Sequence, residues 1–366
     1  MEKKLKIGII FGGKSAEHEV SLQSAKNVIE ALDPDKYEPV LIGIAKDGRW
    51  FLKERSSFLL NAADPKLISL DGGKAQGVSL APQNGGQLSG PDSPHPVASV
   101  DVVFPILHGP FGEDGTIQGL LKLANVPFVG AGVLGSAVGM DKDVMKRLLR
   151  DAGIPIGKFM AVRESEVPDF AAVVASLGLP FFVKPANLGS SVGISKVRTA
   201  EEYAAAVSLA FRFDRKLVLE ENIDGREIEC SVLGNDQPIA SVPGEVITGH
   251  DFYSYEAKYI DEHGAALQIP ADLPEATVEM VRDLAVKTFR VTGCEGLGRI
   301  DFFLKGDGQV IVNEINTIPG FTSVSMYPKL WEASGIPYRE LIDRLIQLAL
   351  ERFSREQRLV TSYTDK

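Results

Sequence analysis

The sequence is short of several things. It has only two cysteines, Cys230 and Cys294, in 366 residues. A chain of this length does not rest on one disulfide. Two cysteines without matching histidine spacing make no zinc site, so both read as reduced thiols. No stretch of 18 apolar residues occurs, so no spanning helix is expected. The opening segment MEKKLKIGIIFGGKSAEHEV has a short apolar run broken by glycines and does not read as a signal peptide. Positive charge is outnumbered, with 39 Lys and Arg against 49 Asp and Glu. The formal net charge is −10 and no Lys/Arg run stands out, which argues against nucleic acid as a partner. The expectation is a cytoplasmic protein whose partners are small molecules, with no membrane association.

What is present is ordinary for a globular chain. Apolar residues make up 44% and charged residues 24%. The length suggests two or three domains, and no internal repeat is visible. LKIGIIF at 5–11 reads as a buried strand and 15–32 as a helix, with Val20, Ala25, Val28, Ile29 and Leu32 near helical spacing. YEPVLIGIA, VDVVFPIL and VPFVG read as further strands and TIQGLLKLA as a helix. This alternation predicts a parallel sheet with flanking helices. Residues 61–98 are rich in Gly, Pro, Ser and Asp, and read as a surface excursion of loop and hairpin. A helix, DKDVMKRLLRDAGI, and a strand–helix–strand mixture lead to about residue 222, and a larger α+β portion follows.

Two glycine patterns invite over-reading. GIIFGGKS at 8–15 satisfies the phosphate-loop pattern, but Gly8 would lie inside the strand rather than after it. GAGVLG at 130–135 satisfies a dinucleotide pattern, but follows a very short strand and has no acidic residue ending a second one. Both are set aside, the second as a turn at a domain boundary.

The segment richest in chemistry is a pair of strands, LGRIDFFL and QVIVNEIN. Alternation puts Arg299, Asp301 and Phe303 on one face, and Val310, Val312, Glu314 and Asn316 on one face. GDG between them signals a hairpin. Asp307–Gly308 as a two-residue turn makes facing residue numbers add to 615, so Asp301 faces Glu314 and Arg299 faces Asn316. Three oxygen-bearing side chains on one face suit a hard cation such as Mg²⁺. The same pattern also fits a surface hairpin with its acids in water.

Here a resemblance becomes specific. FGGKSAEHEVSLQSA, LHGPFGEDGTIQG, VKPANLGSSVG, YEAKY and GRIDFFL…VNEINTIPGFTSVS, in this order along the chain from about residue 5 to 345, resemble the motifs of the D-alanine–D-alanine ligases. The resemblance implies an ATP-grasp fold of the α/β and α+β classes, with units over 1–130, 131–222 and 223–366. It implies ATP as the energy source and two ions of Mg²⁺ or Mn²⁺, held by Asp301, Glu314 and Asn316. Lys142 and Lys184 resemble the lysines that contact ATP phosphates, with Ser191 in the glycine-rich loop over them. Glu220 and Glu227 resemble the acids at the adenine and ribose. Glu17 matches the acid that receives the ammonium of the first D-alanine, although its position also suits a helix-start charge. Ser190 and Tyr259 match its hydrogen-bonding partners. Lys258 and Ser325 match the pair that grips the second substrate's carboxylate. Arg299 and the Gly320 N–H match the oxyanion donors. The implied partners are two molecules of D-alanine, joined through an acyl phosphate for the cell-wall precursor. Ligases of this kind that make a D-alanine–D-lactate ester carry Phe where this chain has Tyr259. His108 is left open between a structural role and one near the amine. The sequence does not decide oligomeric state, a homodimer included.

Overall fold

The computed structural model describes residues 3–54, 58–61, 64, 68–70, 76–91, 93, 95–248 and 265–360. Its first sheet has five strands, here β1 (Leu5–Gly12), β2 (Tyr37–Ile44), β3 (Trp50–Lys53), β4 (Gln76–Gly77) and β5 (Val102–Ile106), in the order β5-β1-β2-β3-β4. The β5-β1-β2 centre is parallel and the β3-β4 edge antiparallel. Parallel strands must be covered on both faces, which explains the near-continuous apolar runs of β1 and β5. One face packs on α1 (His18–Ala31), and the other on α2 (Thr116–Leu123). The 61–98 excursion divides its apolar residues between the faces. Ile68 joins the α1 side, and Val78, Leu80 and Leu88 join the α2 side. VPFVG makes only an isolated bridge, Val103 with Phe128, rather than the strand expected. Gly8 lies in mid-β1 with Val40 and Val103 alongside, so no phosphate loop starts there. Gly132 is the cap preceding α3 (Val133–Met140).

Helix α4 (Lys142–Asp151) follows, its first turn capped by the Asp141 carboxylate, which accepts from the N–H groups of Asp143 and Val144. The second sheet is β6 (Phe159–Arg163), β7 (Phe181–Pro185), β8 (Ser195–Val197) and β9 (Lys216–Glu221), ordered β6-β9-β7-β8. It is covered by α5 (Phe170–Leu177) and α6 (Ala200–Ala210). The third sheet contains β10 (Arg226–Gly234), β11 (Ile239–Ala240), β12 (Gly244–Thr248), β13 (Ala265–Gln268), β14 (Gly296–Leu304) and β15 (Val310–Asn316). Helix α7 (Glu275–Val291) packs on it through Val281, Ala285 and Phe289, and α4 adds Met145 and Leu149 to the same core. The last helices, α8 (Met326–Ala333) and α9 (Tyr338–Glu356), return to the first sheet. Tyr327, Trp331, Leu341 and Leu345 share a core with Ile7, Phe11 and Phe104. Buried Arg352 fastens that return: its guanidinium donates to the carbonyls of Phe128, at 2.7 Å, and Gly130, and lies 4.5 Å from the centre of the Phe128 ring.

The β14–β15 hairpin corrects two expectations. Near the turn, Leu304 faces Val310 and Phe302 faces Val312, sums of 614 rather than 615. Lys305 and Gln309 close the loop, and Gly306, Asp307 and Gly308 form a three-residue connection with Gly308 at φ +84°. A register shift after Asp301 then inserts Asn313, so that Asp301 faces Glu314 and Arg299 faces Asn316 after all. The bulge also reverses the alternation. Val310 and Val312 pack in the core beside Ile300 and Phe302, not with Glu314 and Asn316. Without the extra residue, the 614 register would set Asn313 opposite Asp301 and turn Glu314 to the core side.

Candidate active site

Between the second and third sheets lies a cleft of about 340 Å³. Its walls combine Lys142 and Lys146 of α4, Lys184 of β7, Glu220 of β9, Glu227 of β10 and Glu314 of β15. The geometry follows from local rules. Lys142 and Lys146 are four apart on one helix face, and Glu220 is the penultimate residue of β9, whose Leu217 and Leu219 face the core. The Lys184 ammonium donates to Glu220 Oε2 at 2.8 Å, and Lys146 sits 3.5 Å from Oε1. Burial works against the Glu220 charge, but Lys146 and then Lys184 more than offset it, so its carboxyl titrates below the ordinary value. Burial likewise lowers Lys146. It also opposes the Lys184 charge, which Glu220 restores, leaving Lys184 raised. The cleft thus gathers the ammonium groups of Lys142, Lys146 and Lys184 beside Glu220 and Glu314, an arrangement that suits a polyphosphate.

The glycine-rich loop at 187–193 closes one side. Asp214 accepts from the Asn187 N–H at 2.7 Å and from its side-chain amide at 3.0 Å, fixing the start of the loop. Lys142 donates to the Leu188 carbonyl at 2.8 Å and stands 3.4 Å from Glu314. Ser190 and Ser191 both lie in the left-handed region, at φ +51° and +59°, a conformation costing about 1–2 kcal/mol per residue. Such strain persists where surroundings enforce it. Here the Ser190 hydroxyl donates to Glu17 Oε1, 173 residues away at the start of α1. Glu17 itself is buried.

The polar face of β14–β15 holds the remaining side chains. Arg299 forks onto Asp301 through Nε and a terminal nitrogen, both at 2.7 Å, and its Nε is 2.8 Å from Glu229 Oε2. Asn316 donates to Asp301 Oδ2 at 2.9 Å. Among the described residues, no three His, Cys, Asp or Glu side chains gather into a metal-binding group. The Asp301, Glu314 and Asn316 set offers two carboxylates and an amide. That is a poor cage for a cation held by protein alone, but a fitting one for Mg²⁺ that takes its other ligands from phosphate and water.

The loop after β15 lies against α1 and the β5–α2 loop. His108 is buried; its Nδ1 lies 3.0 Å from the Ile318 carbonyl and its Nε2 3.4 Å from Ser24 Oγ. Burial pushes the imidazole down to about 4, so the ring is neutral and holds two elements together. Ser24 Oγ also accepts from the Phe321 N–H at 3.1 Å. A Cβ on Gly320 would meet Ser325 Oγ at 2.7 Å, so a larger residue there would have to displace the Ser325 hydroxyl. The Ser325 hydroxyl lies 2.8 Å from that of Thr322 and accepts from the Thr322 N–H at 2.9 Å. Lys258 and Tyr259 lie outside the described residues.

This arrangement can be set beside known proteins. The family model described as "D-ala D-ala ligase N-terminus" matches residues 6–131, and that described as "D-ala D-ala ligase C-terminus" matches 148–347. The chain belongs to the D-alanine–D-alanine ligase family. It is 55% identical to a D-alanine–D-alanine ligase of Oceanobacillus iheyensis, over 99% of this chain and 100% of that one. It is 52% identical to D-alanine–D-alanine ligase A of Escherichia coli K12, over 98% and 100%. Among solved structures, a D-alanine–D-alanine ligase from Coxiella burnetii superposes with a TM-score of 0.86 at 40% identity, covering 97% of each chain. The VanG D-Ala:D-Ser ligase from Enterococcus faecalis superposes with a TM-score of 0.82 at 35% identity, covering 95% of this chain and 100% of that one. The fold is therefore ATP-grasp, and the chain is an ATP-dependent ligase of that family.

Three residues of this ligase escaped the sequence reading. Lys146 was detectable as the residue one helical turn beyond Lys142, and Glu229 as the same-face neighbour of Glu227 on a strand. Glu113 had no such signal. It sits in the β5–α2 loop, where its carboxylate accepts from the N–H groups of Gly109 at 2.7 Å and Ile318 at 3.2 Å. Burial, then the charge of Glu17, raises its carboxyl above the ordinary value.

Proposed function

We propose that the chain joins two D-alanines to D-alanyl-D-alanine, with ATP converted to ADP and phosphate through an acyl phosphate. The observation that carries this is the meeting of two chemically distinct halves. A buried carboxylate, Glu17, is fastened by Ser190 to the loop that borders a lysine-lined cleft. An ammonium-bearing substrate at Glu17 would place its carboxylate toward the cations of that cleft.

Each residue then has a role. Lys142 and Lys184 hold the phosphates, with the N–H groups and Ser191 of the 187–193 loop over them. Glu220 and Glu227 hold the nucleoside end. Asp301, Glu314 and Asn316 would hold Mg²⁺ or Mn²⁺, two ions when fully loaded. A cation there would neutralise charge on the transferring phosphoryl group. Arg299 and the Gly320 N–H stabilise the oxyanion formed when the amine of the second D-alanine adds to the acyl carbon. Ser325 and Lys258 fix that substrate's carboxylate, and Tyr259 joins Ser190 and Glu17 in closing the site. Closure excludes water from the acyl phosphate. The reaction needs no covalent intermediate on the enzyme. Among the described residues no helix is long and apolar enough to cross a membrane, and the cytoplasm is the proposed location.

The second substrate is where relatives differ, since a neighbour of similar fold is described as a D-Ala:D-Ser ligase. The test is product analysis with ATP, Mg²⁺ and D-alanine, with D-serine and D-lactate each added in competition. The proposal expects D-alanyl-D-alanine as the dominant product. Predominant D-alanyl-D-serine or D-alanyl-D-lactate would replace it.

A further inference from the structure

The β10–β14 pair places Glu229 directly opposite Asp301, and Ser231 opposite Arg299. Two carboxylates facing each other across neighbouring strands repel unless a cation joins them. Arg299, two residues from Asp301 on the same face, is that cation. Its Nε–H donates to Asp301 Oδ1 at 2.7 Å, and the same nitrogen stands 2.8 Å from Glu229 Oε2 as an ion pair rather than a hydrogen bond. All three side chains are largely buried, Glu229 at 10%, Asp301 at 15% and Arg299 at 17% exposure.

Asp301 carries conflicting demands. It already receives two nitrogens of Arg299 and the amide of Asn316. In the function proposed above it also offers oxygen to a divalent cation, whose charge repels the guanidinium. Glu229 is not one of the three residues assigned to that cation. It lies in β10 and faces the hairpin from the side away from Glu314, because β14 separates β10 from β15.

We infer that Glu229 is the positioning residue of Arg299, the carboxylate that keeps the guanidinium in the site when Asp301 turns to metal and phosphate. This rests on the reading of Arg299 as an oxyanion donor. Glu229 is assigned no reacting atom, and its effect on turnover runs through Arg299.

The test is a double-mutant cycle on the full chain: wild type, E229Q, R299A and the double variant. Dipeptide formation gives kcat and KM. Calorimetry gives ADP binding with Mg²⁺, and thermal midpoints are taken without nucleotide. E229Q should lower kcat by about 10- to 100-fold, the scale of coupling between members of one buried salt-bridge network, with KM for ATP and ADP affinity within about twofold of wild type. In the R299A background the same substitution should cost nothing further. E229D, which keeps the charge on a shorter stem, should recover part of the loss. If E229Q does not fold, E229D takes its place in the cycle and its smaller loss should likewise vanish with R299A. Equal fractional losses in both backgrounds, or turnover of E229Q within about twofold of wild type, would overturn the inference while leaving the Arg299 reading intact. Normal turnover of R299A alone would end both.

Discussion

Replacing Lys146 with Met separates the effect of a buried counter-charge from that of packing. The ammonium is 3.5 Å from Glu220 Oε1, with side-chain exposures of 2% and 8%. At an effective dielectric of about 20, two unit charges at that separation attract by roughly 5 kcal/mol. Two terms reduce this. Lys146 bears its own desolvation, which lowers it and which Met abolishes. Glu220 also keeps Lys184 at 2.8 Å. The net loss should therefore fall below the roughly 3–5 kcal/mol expected when a buried charge loses its sole partner. The sign of the pH dependence follows from Glu220. Its folded carboxyl is held below the unfolded value, so its contribution is present at neutral pH and lost as pH falls through the folded value. Lys146→Met should thus have a lower thermal midpoint than wild type near neutrality. The gap should narrow as pH falls through the carboxylate range and reverse once Glu220 is protonated, because wild type then retains a buried ammonium without its nearest counter-charge. Thermal midpoints from about pH 7 down to about pH 3, below the ordinary carboxylate range, measure this, with ADP binding as a second readout. A gap that is absent at neutrality, or that does not change with pH, would refute the account of Lys146 as a counter-charge.

Other outcomes are expected. Arg299→Ala should leave ATP binding largely intact while cutting turnover about 10²- to 10³-fold, as loss of one preorganised oxyanion donor does; single-turnover kinetics with calorimetry check it. His108 is depressed by burial, so between about 6.5 and about 4 the unfolded chain binds a proton that the folded one does not, and stability falls with pH across that window. His108→Gln should flatten that part of the stability profile. Burial pushes the thiols of Cys230 and Cys294 up to about 12, so iodoacetamide at about pH 8 should label neither until the chain is unfolded, as mass spectrometry would show. Tyr259→Phe should gain ester formation with D-lactate at a modest cost in dipeptide synthesis, read by product analysis across pH.

Much of this molecule was legible in its sequence because its signals are local. Apolar runs marked β1, β2 and β5, and helical spacing marked α1. The hairpin shows where local reasoning stops. The facing of Asp301 and Glu314 was read correctly from a two-residue turn that does not exist. A three-residue loop and the Asn313 bulge restore the same register, each by one residue. Alternation therefore misplaced Val310 and Val312, because a bulge leaves no mark in a polar–apolar pattern. The meeting of Ser190 with Glu17, and of Glu113 with Ile318, spans 173 and 205 residues. Nothing in spacing announces such pairs. The first was suggested by family resemblance and the second by nothing, since Glu113 lies in a loop without periodicity. Lys146 and Glu229 are intermediate, being on predictable faces whose partners only the tertiary fold supplies.

The central claim is that the carboxylate of one D-alanine is phosphorylated before the amine of another attacks it. Carboxyl-¹⁸O-labelled D-alanine tests this directly, by mass analysis of the phosphate released during dipeptide synthesis. The account predicts one ¹⁸O in each phosphate, since the acyl oxygen that accepts the phosphoryl group leaves with it, and phosphate equal to dipeptide. Unlabelled phosphate, or phosphate released without D-alanine and without dipeptide, would contradict it.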